Sequence, residues 1–167
     1  MDSTFIQNKN GKEKIGRNLF YKNKKGIKVT TIVDTKGVPI KVTINKGNRH
    51  DARIAPKILN QLDENKDVNI IKERYILADK GYDSKQIRKI IRSKKYKPII
   101  GKRKNNKKKN KKLTKTELKI YKKRIIVENS FAWIRNYPKI DKLYEKTIKS
   151  YRGLLLLTIS IIIFKKF

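Results

Sequence analysis

Cysteine is missing from this sequence altogether. Disulfides and thiolate metal sites are therefore excluded, and any bound metal must be held by oxygen or by the single histidine, His50. Acidic residues are scarce as well: 14 Asp and Glu stand against 46 Lys and Arg, a formal net charge of +32 over 167 residues. A compact body with that excess repels itself unless a polyanion lies against it. Nucleic acid fits, because each phosphate neutralised by Lys or Arg releases counterions and adds affinity without regard to base sequence. The same bias toward Lys, Ile and Asn also arises from AT-rich coding, and composition alone does not separate DNA from RNA.

A long apolar run is lacking too. The longest candidate, Leu154 to Phe164, would span only roughly 17 Å as a helix, against about 30 Å of hydrocarbon. Thr158 and Ser160 interrupt it, and Lys165 and Lys166 close it. The expectation is a buried C-terminal helix and no membrane partner. No signal-peptide pattern opens the chain, and the length suits one domain, residues 1–167, with a core of its own.

What is present is an alternation of strand and helix patterns. Gly26 to Asp34 is rich in β-branched residues, and Val38 to Asn45 alternates strictly, with Val38, Ile40, Val42 and Ile44 on one face. The turn Thr35-Lys36-Gly37 between them predicts an antiparallel hairpin. Asp2 to Ile6 is a possible third strand. A helix should follow the hairpin, with Ile54, Ile58, Leu59 and Leu62 on one stripe and Pro56 in its first turn. Tyr75 to Asp79 reads as a short buried strand ending on a carboxylate. Gly81 permits a sharp turn, and Asp83 or Ser84 caps a helix carrying Ile87, Ile90 and Ile91. Lys97 to Ile100 is one more short strand. Residues 101–112 (GKRKNNKKKNKK) cannot bury themselves and read as an exposed basic loop. Thr114 and Glu117 form a capping-box pattern that opens a long helix running to about Arg135, before Pro138. The last helix covers about Ile148 to Phe164. This order predicts an α/β three-layer fold with a mixed sheet and long C-terminal helices.

The few acids stand at informative places. Asp79 ends an apolar strand just before a glycine turn, a common place for a functional carboxylate, and equally for a capping or turn aspartate. Asp34 is explained by its turn. Glu128 is one acid within the very basic stretch Tyr121 to Arg135, and on one continuous helix Tyr121, Arg124, Glu128 and Arg135 share a face. It could form a surface pair with Arg124, worth a few tenths of a kcal/mol. The apolar residues around it (Ile125, Ile126, Val127, Phe131) point instead to a helix packed against the body, where a metal is a good partner for the acid. If Asp2, Asp79 and Glu128 converge, they require a cation, since two carboxylates about 4 Å apart repel by roughly 4 kcal/mol at an effective dielectric of 20. Hard oxygen donors suit Mg²⁺ or Mn²⁺, and two such ions suit phosphodiester chemistry.

Seven blocks then occur in a telling order: Gly16-Arg17-Asn18; Lys25 to Lys28; Val33-Asp34 with Gly37 to Pro39; Asn48-Arg49-His50-Asp51; Leu77 to Ser84 (LADKGYDS); Val127 to Trp133 (VENSFAW); and Tyr144-Glu145-Lys146. In that order the chain resembles the transposases of insertion-sequence family five over nearly its whole length. The spacing of Tyr121, Arg124, Glu128 and Arg135 is similar to the Tyr-Arg-Glu-Lys signature of the wider group, with Arg135 in place of the final Lys.

The resemblance implies a ribonuclease-H-like fold and a DDE triad of Asp2, Asp79 and Glu128, binding Mg²⁺ or Mn²⁺, two ions in all. It implies DNA contacts by Arg17, Arg124 and Arg135, and the basic loop adds Lys102 and Arg103. Tyr121, His50 and Asp51 would support the site, the last two by default as a structural turn. The implied activity is metal-dependent hydrolysis and strand transfer at the ends of a mobile element. The runner-up is an inactive remnant that only binds DNA. Implied partners are element-end and target DNA, further copies of the chain, and the product of an upstream reading frame. The implied location is cytoplasmic and DNA-associated, the nucleoid in a bacterium.

Three departures stand out. Asn129 and Leu143 replace arginines, and Met1 directly precedes Asp2, where family members carry a helical DNA-end-binding region. The expectation is that this region is absent and that Asp2, next to a chain end, is poorly held.

Overall fold

A computed structural model describes residues 1–63, 74–101 and 113–166. The elements run β1 (Asp2–Asn8), β2 (Gly16–Asn18), β3 (Lys24–Val33), β4 (Pro39–Lys46), α1 (Asp51–Leu59), β5 (Tyr75–Ala78), α2 (Lys85–Ser93), β6 (Lys97–Ile100), α3 (Lys115–Lys122), α4 (Ile125–Arg135), α5 (Pro138–Asp141), β7 (Lys142–Leu143) and α6 (Ile148–Lys166). The fold is mixed α/β, with a mixed sheet and a long C-terminal helix, consistent with a ribonuclease-H-like domain.

Strand β3 organises the larger sheet. It pairs antiparallel with β1 on one edge (Asp2 opposite Thr31, Ile6 opposite Ile27) and with β4 on the other (Val29 opposite Ile44). β2 pairs with the start of β3, and β7 adds to the far side of β1 in parallel. β5 and β6 form a separate parallel pair.

Strand periodicity divides the core in two. Ile6, Ile27, Val29 and Ile44 pack with Ile134, Ile140, Tyr151, Leu155 and Ile159 of the C-terminal helices. Met1 and Ile32 join a second cluster with α1, β5, α2 and β6, through Ile58, Leu59, Ile76, Ile87, Ile91 and Ile100. Helices thus cover both faces of the sheet.

The hairpin, the strand at Tyr75 and the capping box are present as the sequence predicts. Thr114 Oγ1 accepts from Glu117 N, and Glu117 Oε2 accepts from Thr114 N. Asp34 Oδ1 accepts from the amides of Lys36 and Val38, so it is a turn aspartate. Three details differ. Pro56 is the sixth residue of α1 rather than part of a first turn, where its missing N–H leaves a helical carbonyl without its usual donor. The helix expected from Thr114 to Arg135 is two helices. At Lys123 and Arg124 the amides bond three residues back, to Ile120 and Tyr121, and this tighter turn ends α3 and precedes α4. The short strands β2 and β7 and the helix α5 have no counterpart in the sequence reading, because each is too short to show a period. Among the described residues no helix is long and apolar enough to cross a membrane.

Candidate active site

Asp2 opens β1, Asp79 follows β5, and Glu128 lies on the first turn of α4. One arginine draws two of them together. Arg124 Nη1 lies 3.5 Å from Asp2 Oδ2, and its Nη2 lies 3.1 Å from Glu128 Oε1. Asp79 is reached through Tyr121, whose hydroxyl donates over 3.5 Å to Asp79 Oδ1. The Arg124 guanidinium lies 5.9 Å from the centre of the Tyr121 ring. Tyr121 is on α3 and Arg124 precedes α4, where it pairs with Glu128 one helical turn on. Gly101 makes room for the approach of Tyr121, since a Cβ there would collide with the Tyr121 hydroxyl.

Asp2 is firmly seated, contrary to the fraying expected of it. Its strand pairs with β3 over six residues, Met1 is buried, and the Met1 amino group donates to Leu77 O at 2.8 Å. That bond ties β1 to β5, so the strands of the first two acids lie side by side at their ends without sharing a continuous ladder. Burial pushes the Asp2 carboxyl above its ordinary range. The Ser3 amide and Arg124 oppose the shift, and the nearby Asp79 charge reinforces it. At 3.5 Å the Arg124 contact is too long to cancel the desolvation.

Beneath Asp2 runs a polar chain that the sequence reading missed. Ser3 Oγ bonds to Thr30 Oγ1 at 2.8 Å and to the Tyr82 hydroxyl at 2.6 Å. Tyr82 and Thr30 are buried, and burial raises the Tyr82 hydroxyl well above its usual range, so it stays protonated. This chain joins the turn after Asp79 to the strand of Asp2. The available signal was strand alternation, which turns Ser3 away from Asp2 toward the α1 side, where a hydroxyl needs a partner.

Exposed His50 precedes α1 without a side-chain capping bond, and Asp51 opens that helix with a 3.0 Å bridge to Lys28 and lies beside Gly81 and Tyr82 of the turn after Asp79. Arg17 is exposed on β2. Arg135 ends α4 and bridges Asp141 at 2.6 Å, away from the acids. Lys102 and Arg103, with most of the expected basic loop, lie outside the described residues.

Three carboxylates with no sulfur donor match a hard divalent cation in kind. In geometry Arg124 stands where such a cation would neutralise Asp2 and Glu128, and no group of three or more His, Asp or Glu among the described residues is arranged to hold a metal. Glu128 is 48% exposed at its side chain, so it can turn without unpacking α4.

The model of the transposase DDE domain family matches residues 1–163. A Burkholderia cepacia protein assigned as a transposase for insertion sequence element IS402 is similar, at 23% identity over 139 residues. The match takes in 81% of this chain and 62% of that relative, so the chain spans under two thirds of the relative's length. No solved structure matches the chain. An α/β body that gathers Asp2, Asp79 and Glu128 around Arg124 and Tyr121, with a family match over 163 of its residues, belongs to the transposase DDE domain family.

Proposed function

We propose that this chain is the catalytic module of a DNA transposase. It would hydrolyse a phosphodiester at the end of a mobile element, then use the freed 3′-hydroxyl to attack target DNA. Each step exchanges one oxygen for another at phosphorus, so no nucleophilic side chain is needed. The approach of Asp2, Asp79 and Glu128 to one Arg124–Tyr121 pair carries this reading. These acids would hold Mg²⁺ or Mn²⁺, two ions in the productive state, which supply charge stabilisation at the attacking and leaving oxygens. Tyr121 would orient Asp79, and Arg124 would release its carboxylates and turn to a DNA phosphate as the cations arrive. Arg17, Arg135, Lys102 and Arg103 would add phosphate contacts. Further copies of the chain and an upstream reading-frame product are the proposed protein partners, with cellular DNA, the nucleoid in a bacterium, as the place of action.

One observation favours a second reading, a DNA-binding remnant. Arg124 already pairs with both Asp2 and Glu128. Cleavage of element-end DNA with Mg²⁺ or Mn²⁺ separates the two. Metal-dependent nicking that disappears in Asp79→Asn supports the enzyme; strong DNA binding with no nicking at any metal concentration, with or without an upstream product, supports the remnant.

A further inference from the structure

We infer that the single 3₁₀ turn Leu19–Tyr21 and the cleft beside it form a stacking platform for the bases of an unpaired DNA strand. The inference rests on the reading of the chain as a DNA-acting protein and concerns a surface away from the acids.

Phe20 is 90% exposed and Leu19 82%, next to one another on the same turn. With half-exposed Tyr21 they make a contiguous apolar patch, which is more telling than a single exposed side chain. The turn that presents them is anchored at its start. Buried Asn18 accepts from Phe20 N at 3.1 Å and donates to Gly47 O at 2.9 Å. Lys22 and Asn23 both hold left-handed backbone, at φ 51° and 56°, a geometry that Asn adopts readily and Lys rarely. Gly47 seats the turn closely, since a Cβ there would collide with the carbonyl oxygens of Gly26 and Gly16. Tyr21 stacks on buried Phe5 with ring centres 4.8 Å apart and planes 24° apart, which fixes its ring while leaving it about half exposed.

Beside these rings lies a cleft of about 330 Å³, lined by Phe5, Phe20, Tyr21, Lys22, Lys24 and Lys142. Its acid, Asp141, is held by Arg135 at 2.6 Å. Among the described residues no carboxylate pairs with Lys22, Lys24 or Lys142. Flat aromatic faces flanked by unneutralised lysines are what a single strand needs, since bases stack on the rings and phosphates meet the cations. A duplex offers phosphates but keeps its base faces covered. Phe5 lies three positions along β1 from Asp2, roughly 10 Å, and on the opposite face of the strand, so the platform is separate from the reacting centre.

The test is binding of a short mixed-sequence single-stranded DNA carrying a fluorescent purine analogue, alongside a duplex of equal length, without metal. Phe20 is too exposed for its replacement to disturb folding. Phe20→Ala and Phe20→Leu should each weaken single-strand binding by about fivefold or more, with the analogue's stacking quench lost and duplex binding little changed. Phe20→Tyr should keep both. The inference is overturned if Phe20→Leu binds the single strand like the native chain, if single-strand and duplex binding fall equally, or if Phe20→Leu instead loses binding to vesicles of anionic phospholipid. Failure of the broader reading looks different: the native chain then binds neither DNA, whereas strong duplex binding together with single-strand binding untouched by Phe20 replacement sinks the platform alone.

Discussion

Two buried tyrosines sit on opposite faces of the same sheet. On the C-terminal face, Tyr151 donates to Ile140 O at 2.9 Å and ties α6 to α5, far along the sheet from the acids. On the other face, Tyr82 bonds to Ser3 and ties the turn after Asp79 to the strand of Asp2. Both rings are essentially inaccessible, and both hydroxyls are held protonated by burial. The first bond joins elements within one apolar cluster. The second crosses a seam, because β5 and β6 form their own sheet and meet β1 through Met1 and Ser3. Equal contributions to stability can therefore differ in what they do for a site assembled across that seam.

The largest expected effect is at the acids themselves. Asp79→Asn or Glu128→Gln should lower metal-dependent nicking by roughly a thousandfold while leaving thermal unfolding close to that of the native chain. An Asp79→Asn chain that nicks normally would remove the seam from the chemistry altogether. Next in size is the salt response. If about six phosphates are neutralised, the slope of log affinity against log salt should be roughly −5, measured by anisotropy on duplex DNA. A slope near zero would mean that the charge of +32 reflects composition and not a binding face.

The matched tyrosines sharpen the comparison directly. Tyr82→Phe and Tyr151→Phe should each cost about 1 kcal/mol of stability in denaturant unfolding. Only Tyr82→Phe should also slow nicking at saturating DNA and raise the metal concentration needed for half-activity. Equal activity in the two variants would mean that the Ser3 bond does not position Asp79 against Asp2.

The smallest effect is a pH trend at Asp2. Its folded carboxyl is raised, chiefly by desolvation, so the protonated form is favoured in the fold. Its contribution is fully present below the unfolded carboxylate range and is lost as pH rises through the folded value. Asp2→Asn should therefore be slightly more stable than the native chain at neutral pH, with the gap closing as pH falls through the acid range. A gap that widens in acid would mean that the Arg124 pairing outweighs burial.

Much of this was legible in the residues. The β-branched run of β3 and the capping box at Thr114 are local patterns with local causes, and each appears in the fold; the alternation of β4 marks the strand, though Ile40 is exposed and Thr43, Ile44 and Asn45 are buried in succession. The acids were legible from position and from the ordered motif blocks, which also gave Arg124 and Tyr121 as neighbours of the site. What remained hidden is of two kinds. β2 and β7 are three and two residues long and exist because β3 and β1 offer free edges. The break between α3 and α4 was invisible because Lys123 and Arg124 keep helical backbone angles, and only the bonding shifts to three residues back.

The sequence by itself determined the charge, the choice of oxygen over sulfur for any metal, the strand and helix periods and the family. Those follow from residue identity and spacing along the chain. Tertiary structure alone decided that Arg124 reaches Asp2 as well as its helical neighbour Glu128, that Ser3 and Tyr82 join two sheets beneath the acids, and that Leu19 and Phe20 project from a turn tied through Asn18 to Gly47. Apart from the local Arg124–Glu128 pair, these contacts join residues 29 to 122 positions apart. Whether such groups meet depends on how two apolar clusters settle against the faces of one sheet, a packing outcome that local propensity does not encode.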